Sequence, residues 1–180
     1  MNTKIQFTKV RDVKSPKRAN KHDAGTDFFI PNYTPEFYKD VVEKNKNNRI
    51  EYQTIIGDDG RQELEFRIAP HAQINIPSGI KVNILDKNTY LDANNKSGVA
   101  TKYSLVVGAK VVDADYRGEV HLNLINTSNE WVTIKTGQKI VQFIHKEYIA
   151  SDFEEISVDE YNALEATDRG EGGFSSTGEK

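Results

Sequence analysis

Gln73-Ile74-Asn75-Ile76-Pro77-Ser78-Gly79-Ile80-Lys81-Val82-Asn83-Ile84-Leu85 is the stretch that sets the architecture. Gln73–Ile76 and Ile80–Leu85 are alternating or β-branched runs, and Pro77-Ser78-Gly79 between them reads as a turn, so two short strands are predicted. The same pattern continues outward. Lys4–Val10 is strand-prone. Leu105–Val107, Lys110–Val112, Glu119–Asn126, Trp131–Lys135 and Lys139–Tyr148 follow, bounded by Gly, Asp, Asn or Ser. Many short strands with regular turns predict an all-β sandwich, barrel or jelly roll rather than a parallel α/β sheet.

Two segments break the pattern. Residues 32–67 read as a self-contained insertion. Within it, Pro35–Lys44 suits a short helix with Phe37 and Val41 on one face. Ile50–Ile56 and Gln62–Ile68 then flank Gly57-Asp58-Asp59-Gly60 as a hairpin. The second break is a C-terminal arm over about 151–180. Ser157-Val158-Asp159-Glu160 is a capping-box pattern that opens one or two helical turns to Leu164. A single domain over 1–180, with one insertion and one flexible arm, is the expected organisation.

Composition narrows the function. The net charge is −3, against a duplex-binding surface and hence against a nucleic-acid partner. No run approaches 18 apolar residues, and Met1–Ile5 has no apolar core of a signal peptide, so no membrane association is expected. The absence of cysteine suits a reducing cytoplasm. His22, His71, His121 and His145 are scattered, with no zinc-site spacing and no expectation of protein-ligated metal.

Three polar constellations remain. The tail Asp168–Gly178 reads on composition as a disordered end. It also holds Arg169, Phe174 and the hydroxyls of Ser175, Ser176 and Thr177 among glycines, the ingredients of a phosphate cradle with a stacking platform. Asn95–Ala100, by itself, reads as a surface turn. In Gly108–Gly118, Val111 and Val112 read as a buried strand that delivers Asp113, with Tyr116 three residues on. That stretch suits either a plain hairpin or a carboxylate placed to align a water beside a sugar.

Five ordered stretches resemble the motifs of the trimeric dUTPases, including phage-type members. They are Ala24–Phe28, Lys96–Ala100, Gly108–Val120, Gly137–Ile144 and Arg169–Gly178. The resemblance implies a jelly-roll-like distorted β-barrel, a homotrimer with active sites at subunit interfaces, and a dUTP diphosphatase. Its reaction would be hydrolysis of dUTP to dUMP and pyrophosphate by Mg²⁺-assisted water attack at the α-phosphate. This limits uracil incorporation into DNA and supplies dUMP for thymidylate synthesis. A cytoplasmic location, the host cytoplasm for a phage protein, goes with it.

By the same resemblance Asp113 is the general base and Tyr116 packs on the deoxyribose, leaving no room for a 2′-hydroxyl. Main-chain groups from Gly108 to Val112 read the uracil. Lys96, Ser97, Gly98, Gln142, Arg169, Ser175, Ser176 and Thr177 hold the phosphates, and Phe174 stacks on the base. Asp27 acts from behind, paired with Arg169. Magnesium sits on phosphates and waters rather than on side chains.

Two positions depart from the family. Lys96 stands where arginine is common, losing the planar fork. Lys110 stands where glycine is common, and would be strained if the site needs positive φ. The alternatives are a dCTP deaminase-like enzyme of the same fold, whose catalytic glutamate stretch is not seen here, and a regulatory dUTPase that binds a protein partner through residues 32–67.

Overall fold

The computed structural model describes residues 4–168, 170 and 172. The chain divides into two units, 1–149 and 150–180.

The first unit is almost entirely β. One four-stranded sheet runs β1 (Ile5–Lys9), β5 (Gln73–Ile84), β9 (Glu119–Asn126), β7 (Leu105–Val107). A second runs β2 (Thr26–Phe29), β11 (Lys139–Glu147), β6 (Thr89–Asn95), β8 (Val111–Val112). Strict alternation along β9 turns Val120, Leu122 and Leu124 into the core and leaves Glu119, His121 and Asn123 on the other face. Ile74, Ile76, Phe28, Leu91 and Phe143 meet them in one apolar cluster.

The decisive stretch folds differently from its expected pair of strands. β5 is one continuous strand of 12 residues. Pro77-Ser78-Gly79 is a bulge inside it, with Gly79 at φ +75° and the β9 register broken between Pro77 and Lys81. Proline has no N–H to give a ladder and glycine accepts positive φ, so the same residues that signal a turn also suit a bulge.

Residues 32–67 carry the predicted helix and hairpin but are not self-contained. Thr34 caps α1 (Pro35–Lys44) by accepting from the Phe37 amide at 3.1 Å. β3 (Ile50–Ile56) and β4 (Gln62–Ile68) form the hairpin, with Gly60 at φ +76°. β4 continues into a three-stranded sheet by pairing with β10 (Val132–Lys135). Phe37, Val41, Leu64, Phe66 and Ile68 are all buried in the common core. The alternation of Leu64, Phe66 and Ile68 with Glu63, Glu65 and Arg67 makes one apolar face, and Phe37 of α1 meets Phe66 edge-on, ring centres 6.4 Å apart.

Other readings also change. β2 and β6 lack the expected strand character, yet both form. Asn95–Ala100 is not a plain turn, because Lys96 is the N-cap of α2 (Ser97–Tyr103). β7 and β8 lie in different sheets, so Gly108–Lys110 is a corner between them and not a hairpin loop. Val111 is 63% exposed rather than buried.

In the second unit, α3 (Val158–Asn162) carries the full capping box: Ser157 accepts from the Glu160 amide, and Glu160 accepts from the Ser157 amide.

Candidate active site

Two clusters form from the motif residues. The first lies where β8 ends. The Tyr116 amide donates to the Asp113 carbonyl at 3.2 Å, closing a turn. Lys87 and Arg117 both donate to the Ala114 carbonyl, at 3.0 and 2.9 Å, and hold that turn down. The Tyr116 ring folds back over Gly118, where an added Cβ would lie 2.1 Å from the tyrosine oxygen. Its hydroxyl donates to the Glu119 carbonyl at 3.1 Å. Asp113 and Tyr116 line a cavity of about 190 Å³ with Ala109, Val111, Val112 and His121.

The corner that leads into this cavity is fixed through its backbone. Asn123 takes the Gly108 amide on its carbonyl at 3.2 Å and the Ala109 amide on its side-chain oxygen at 3.0 Å. A Cβ at position 108 would meet the Asn123 Oδ1 at 2.1 Å, so the glycine leaves that oxygen in place to hold the Ala109 amide. The Lys110 carbonyl accepts from the Ala93 amide at 2.7 Å, and Lys110 Nζ lies 3.7 Å from Asp92. Among the described non-glycine residues only His71 and Ser104 have positive φ, so Lys110 is accommodated without strain.

His121 was not expected at this site. Its Nδ1 meets the Glu119 carbonyl at 2.8 Å, while its buried Nε2 finds no partner among the described residues. Burial first, and the nearby Lys44 charge second, hold its pKa below the ordinary histidine value. The ring is therefore neutral at pH 7, with Nδ1–H as the donor.

The second cluster gathers Gly25, Asp27, Lys96 and Gln142 around a cavity of about 260 Å³. Asp27 is 3% exposed and bridges two cations, pairing with Lys96 on one oxygen and with Lys139 on the other at 2.9 Å. Burial pushes its pKa up, but the hydrogen bonds from Lys96 and Lys139 outweigh that and leave it below the ordinary carboxylate value. Gln142 donates to the Asn95 carbonyl at 2.8 Å. Ser97 and Gly98 occupy the first turn of α2, with open space beside Gly98. The two cavities have no lining residue in common.

A model of the dUTPase family matches residues 46–178. The deoxyuridine 5′-triphosphate nucleotidohydrolase of Finegoldia magna is 33% identical over 145 residues, covering 77% of this chain and 96% of that protein. The chain belongs to the dUTPase family. Its activity is hydrolysis of dUTP. The Yarrowia lipolytica nucleotidohydrolase is 30% identical over 178 residues, covering 99% of this chain and 90% of its own length. In fold, the dUTPase resembles that of Staphylococcus bacteriophage 80alpha solved with dUPNHPP. That match has a TM-score of 0.67 at 19% identity and covers 99% of both chains.

Of the dUTPase residues read from sequence, Asp113, Tyr116 and Val112 share one cavity, and Gly108 directly precedes its lining residue Ala109. Asp27, Lys96 and Gln142 share the other, with Ser97 and Gly98 following Lys96 on α2. Arg169, Phe174, Ser175, Ser176 and Thr177 lie outside the described residues. Lys139 was missed as a site residue, although it stands inside the quoted Gly137–Ile144 stretch. Among the described residues no helix is long and apolar enough to cross a membrane.

Proposed function

We propose that this enzyme cleaves dUTP between the α- and β-phosphates with Asp113 as general base, at a site completed by a second copy of the chain in a homotrimer. The observation that carries this reading is the separation of the two cavities. The carboxylate and tyrosine line one, the phosphate-binding candidates Lys96 and Gln142 line the other, and no residue belongs to both. A triphosphate needs both chemistries at once, and in a homotrimer each half-site of one chain would be completed by a neighbour.

Among the described residues the Asp113 carboxylate takes no hydrogen bond or ion pair, which leaves its lone pairs open to a water. A positioned base contributes about 10²- to 10⁴-fold. Tyr116 presents its ring beside Asp113 and excludes ribose sterically, while the fixed backbone of 108–112 reads the uracil edge. Lys96 supplies positive charge for the phosphates, and the first turn of α2 at Ser97 and Gly98 supplies amide donors. Gln142 adds a carboxamide, and Arg169, Phe174, Ser175, Ser176 and Thr177 come from the arm.

The carboxylate in the phosphate cavity, Asp27, is already bound by two lysines. The donor set that fits Mg²⁺ is therefore the triphosphate itself with water. When bound there, the ion neutralises phosphate charge.

Pyrophosphate release from dUTP, dTTP, dCTP and UTP with magnesium tests the chemistry. Asp113→Asn should abolish turnover of dUTP, and undiminished activity would remove Asp113 from its role. Mixing tests the shared site. Asp113→Asn and Lys96→Ala/Gln142→Ala chains, each inactive alone, should after random reassembly regain about a quarter of the sites. No recovery from verified mixed trimers would place the whole site within one chain.

A further inference from the structure

Glu119 begins β9 immediately after the Tyr116 turn, and its side chain is held more tightly than its neighbours. Arg11 Nε donates to Glu119 Oε1 at 2.7 Å and Arg11 Nη2 to Oε2 at 3.0 Å, a two-pronged pairing. The Gly79 amide donates to the same Oε1 at 2.6 Å. Arg11 is gripped from the other side by Asp40 of α1, Nη2 to Oδ2 at 2.7 Å, and its guanidinium lies 5.9 Å from the centre of the Phe37 ring. The connection after β1 and the β5 bulge thus converge on one carboxylate, and the inserted helix reaches it indirectly, through Arg11.

The main-chain carbonyl of Glu119 accepts the Tyr116 hydroxyl. That bond ties down the tip of a ring that is 42% exposed. The angle of the ring therefore depends on where the Glu119 backbone sits, and that depends on the pairing of its side chain.

We infer that Arg11 and Asp40 are positioning residues for Tyr116, and that through Glu119 they set how strictly the enzyme rejects UTP relative to dUTP. The inference rests on the reading that Tyr116 packs against the sugar. It gives the inserted helix a part in specificity without placing any of its side chains on the substrate. Side chains joined in one network couple, so removing two members costs less than the sum of the separate losses.

The test compares kcat and KM for dUTP and UTP in the full-length enzyme and in Asp40→Asn, Arg11→Lys, Tyr116→Phe, Tyr116→Ala and the Asp40→Asn/Tyr116→Phe double variant. The Asp40 side chain is 47% exposed, so its neutral variant leaves no buried charge and should keep the melting temperature. Asp40→Asn should raise the UTP-to-dUTP ratio of kcat/KM about 3-fold and Arg11→Lys about 10-fold, within the range expected for networked residues. The double variant should discriminate no worse than Tyr116→Phe alone. Two results would overturn the inference: additive effects in the double variant, or native discrimination in Arg11→Lys while Tyr116→Phe loses it. Native discrimination in Tyr116→Ala would instead overturn the sugar-packing reading, and the inference with it.

Discussion

Gly25 is the space in which Gln142 sits: a methyl group at position 25 would lie 2.1 Å from Oε1 of Gln142. The pair joins the connection before β2 to the middle of β11, and it explains why a glycine precedes Thr26-Asp27. Gly25→Ala should drive the carboxamide out of its bond to Asn95. The long glutamine side chain can move, so the fold survives and binding suffers. KM for dUTP should rise about 10-fold with little change in melting temperature, on the scale of one lost polar contact to a charged group. An unchanged KM, in steady-state pyrophosphate release, would remove Gln142 from phosphate binding.

The two buried carboxylates predict an acid limit. Asp27 and Asp92 both titrate below the ordinary value of 3.8 despite burial, Asp27 through Lys96 and Lys139 and Asp92 through Lys146 and Asn94. Their folded pKa values lie below the unfolded ones, so their contribution is complete above the unfolded value. It is lost as pH falls through the folded values. Urea melts from pH 7 to pH 3 should show this decline, and Asp27→Asn should flatten part of it. At pH 7 the same variant should cost about 2–3 kcal/mol, less than a fully buried pair because Lys139 remains half exposed.

Excising residues 32–67 should unfold the first unit rather than trim it. Phe37, Val41, Leu64 and Phe66 would all leave the core, and β10 would keep only Ile68 of its sheet partner among the described strands. As a milder test, Phe66→Ala should cost about 3–5 kcal/mol in denaturant melts. Ile56→Ser, at a residue 67% exposed, should fall within about 0.5 kcal/mol of native. Equal effects of the two would mean that the hairpin does not share the core.

Removing residues 168–180 should separate activity from stability. The first unit has its own core, so its melting temperature should hold, while turnover of dUTP should fall strongly as Arg169 and Phe174 are lost. Normal turnover by the truncated chain would deny the arm any part in closing the site.

Much of this was legible in the sequence, for physical reasons that differ from element to element. β9 alternates cleanly because one face is buried and the other is not. α3 is announced by Ser157 and Glu160, which satisfy each other's backbone. β6 was invisible because Asp92 and Asn94 interrupt its apolar pattern, and Asp92 becomes tolerable inside only after Lys146 arrives from β11, 54 residues later. Lys139 was overlooked for the same reason: its partner Asp27 lies 112 residues away. The Pro-Ser-Gly signal was correctly read as a break but wrongly as a chain reversal. Periodicity cannot tell a kinked strand from two strands, and the pairing of β5 with the same strand β9 on both sides of the bulge, at Gln73–Pro77 and at Lys81, decides it.

That kink has a dynamic consequence. At the bulge the Gly79 amide leaves the ladder and bonds a carboxylate instead, so the strand that follows the Tyr116 turn is stitched to the longest of the described strands. Releasing the Gly79 amide proton requires the Glu119 carboxylate to swing away, which the two-pronged pairing with Arg11 opposes. Hydrogen exchange at Gly79 then reports how often the Arg11–Glu119 pairing opens, the same pairing that anchors the strand end next to the Tyr116 turn.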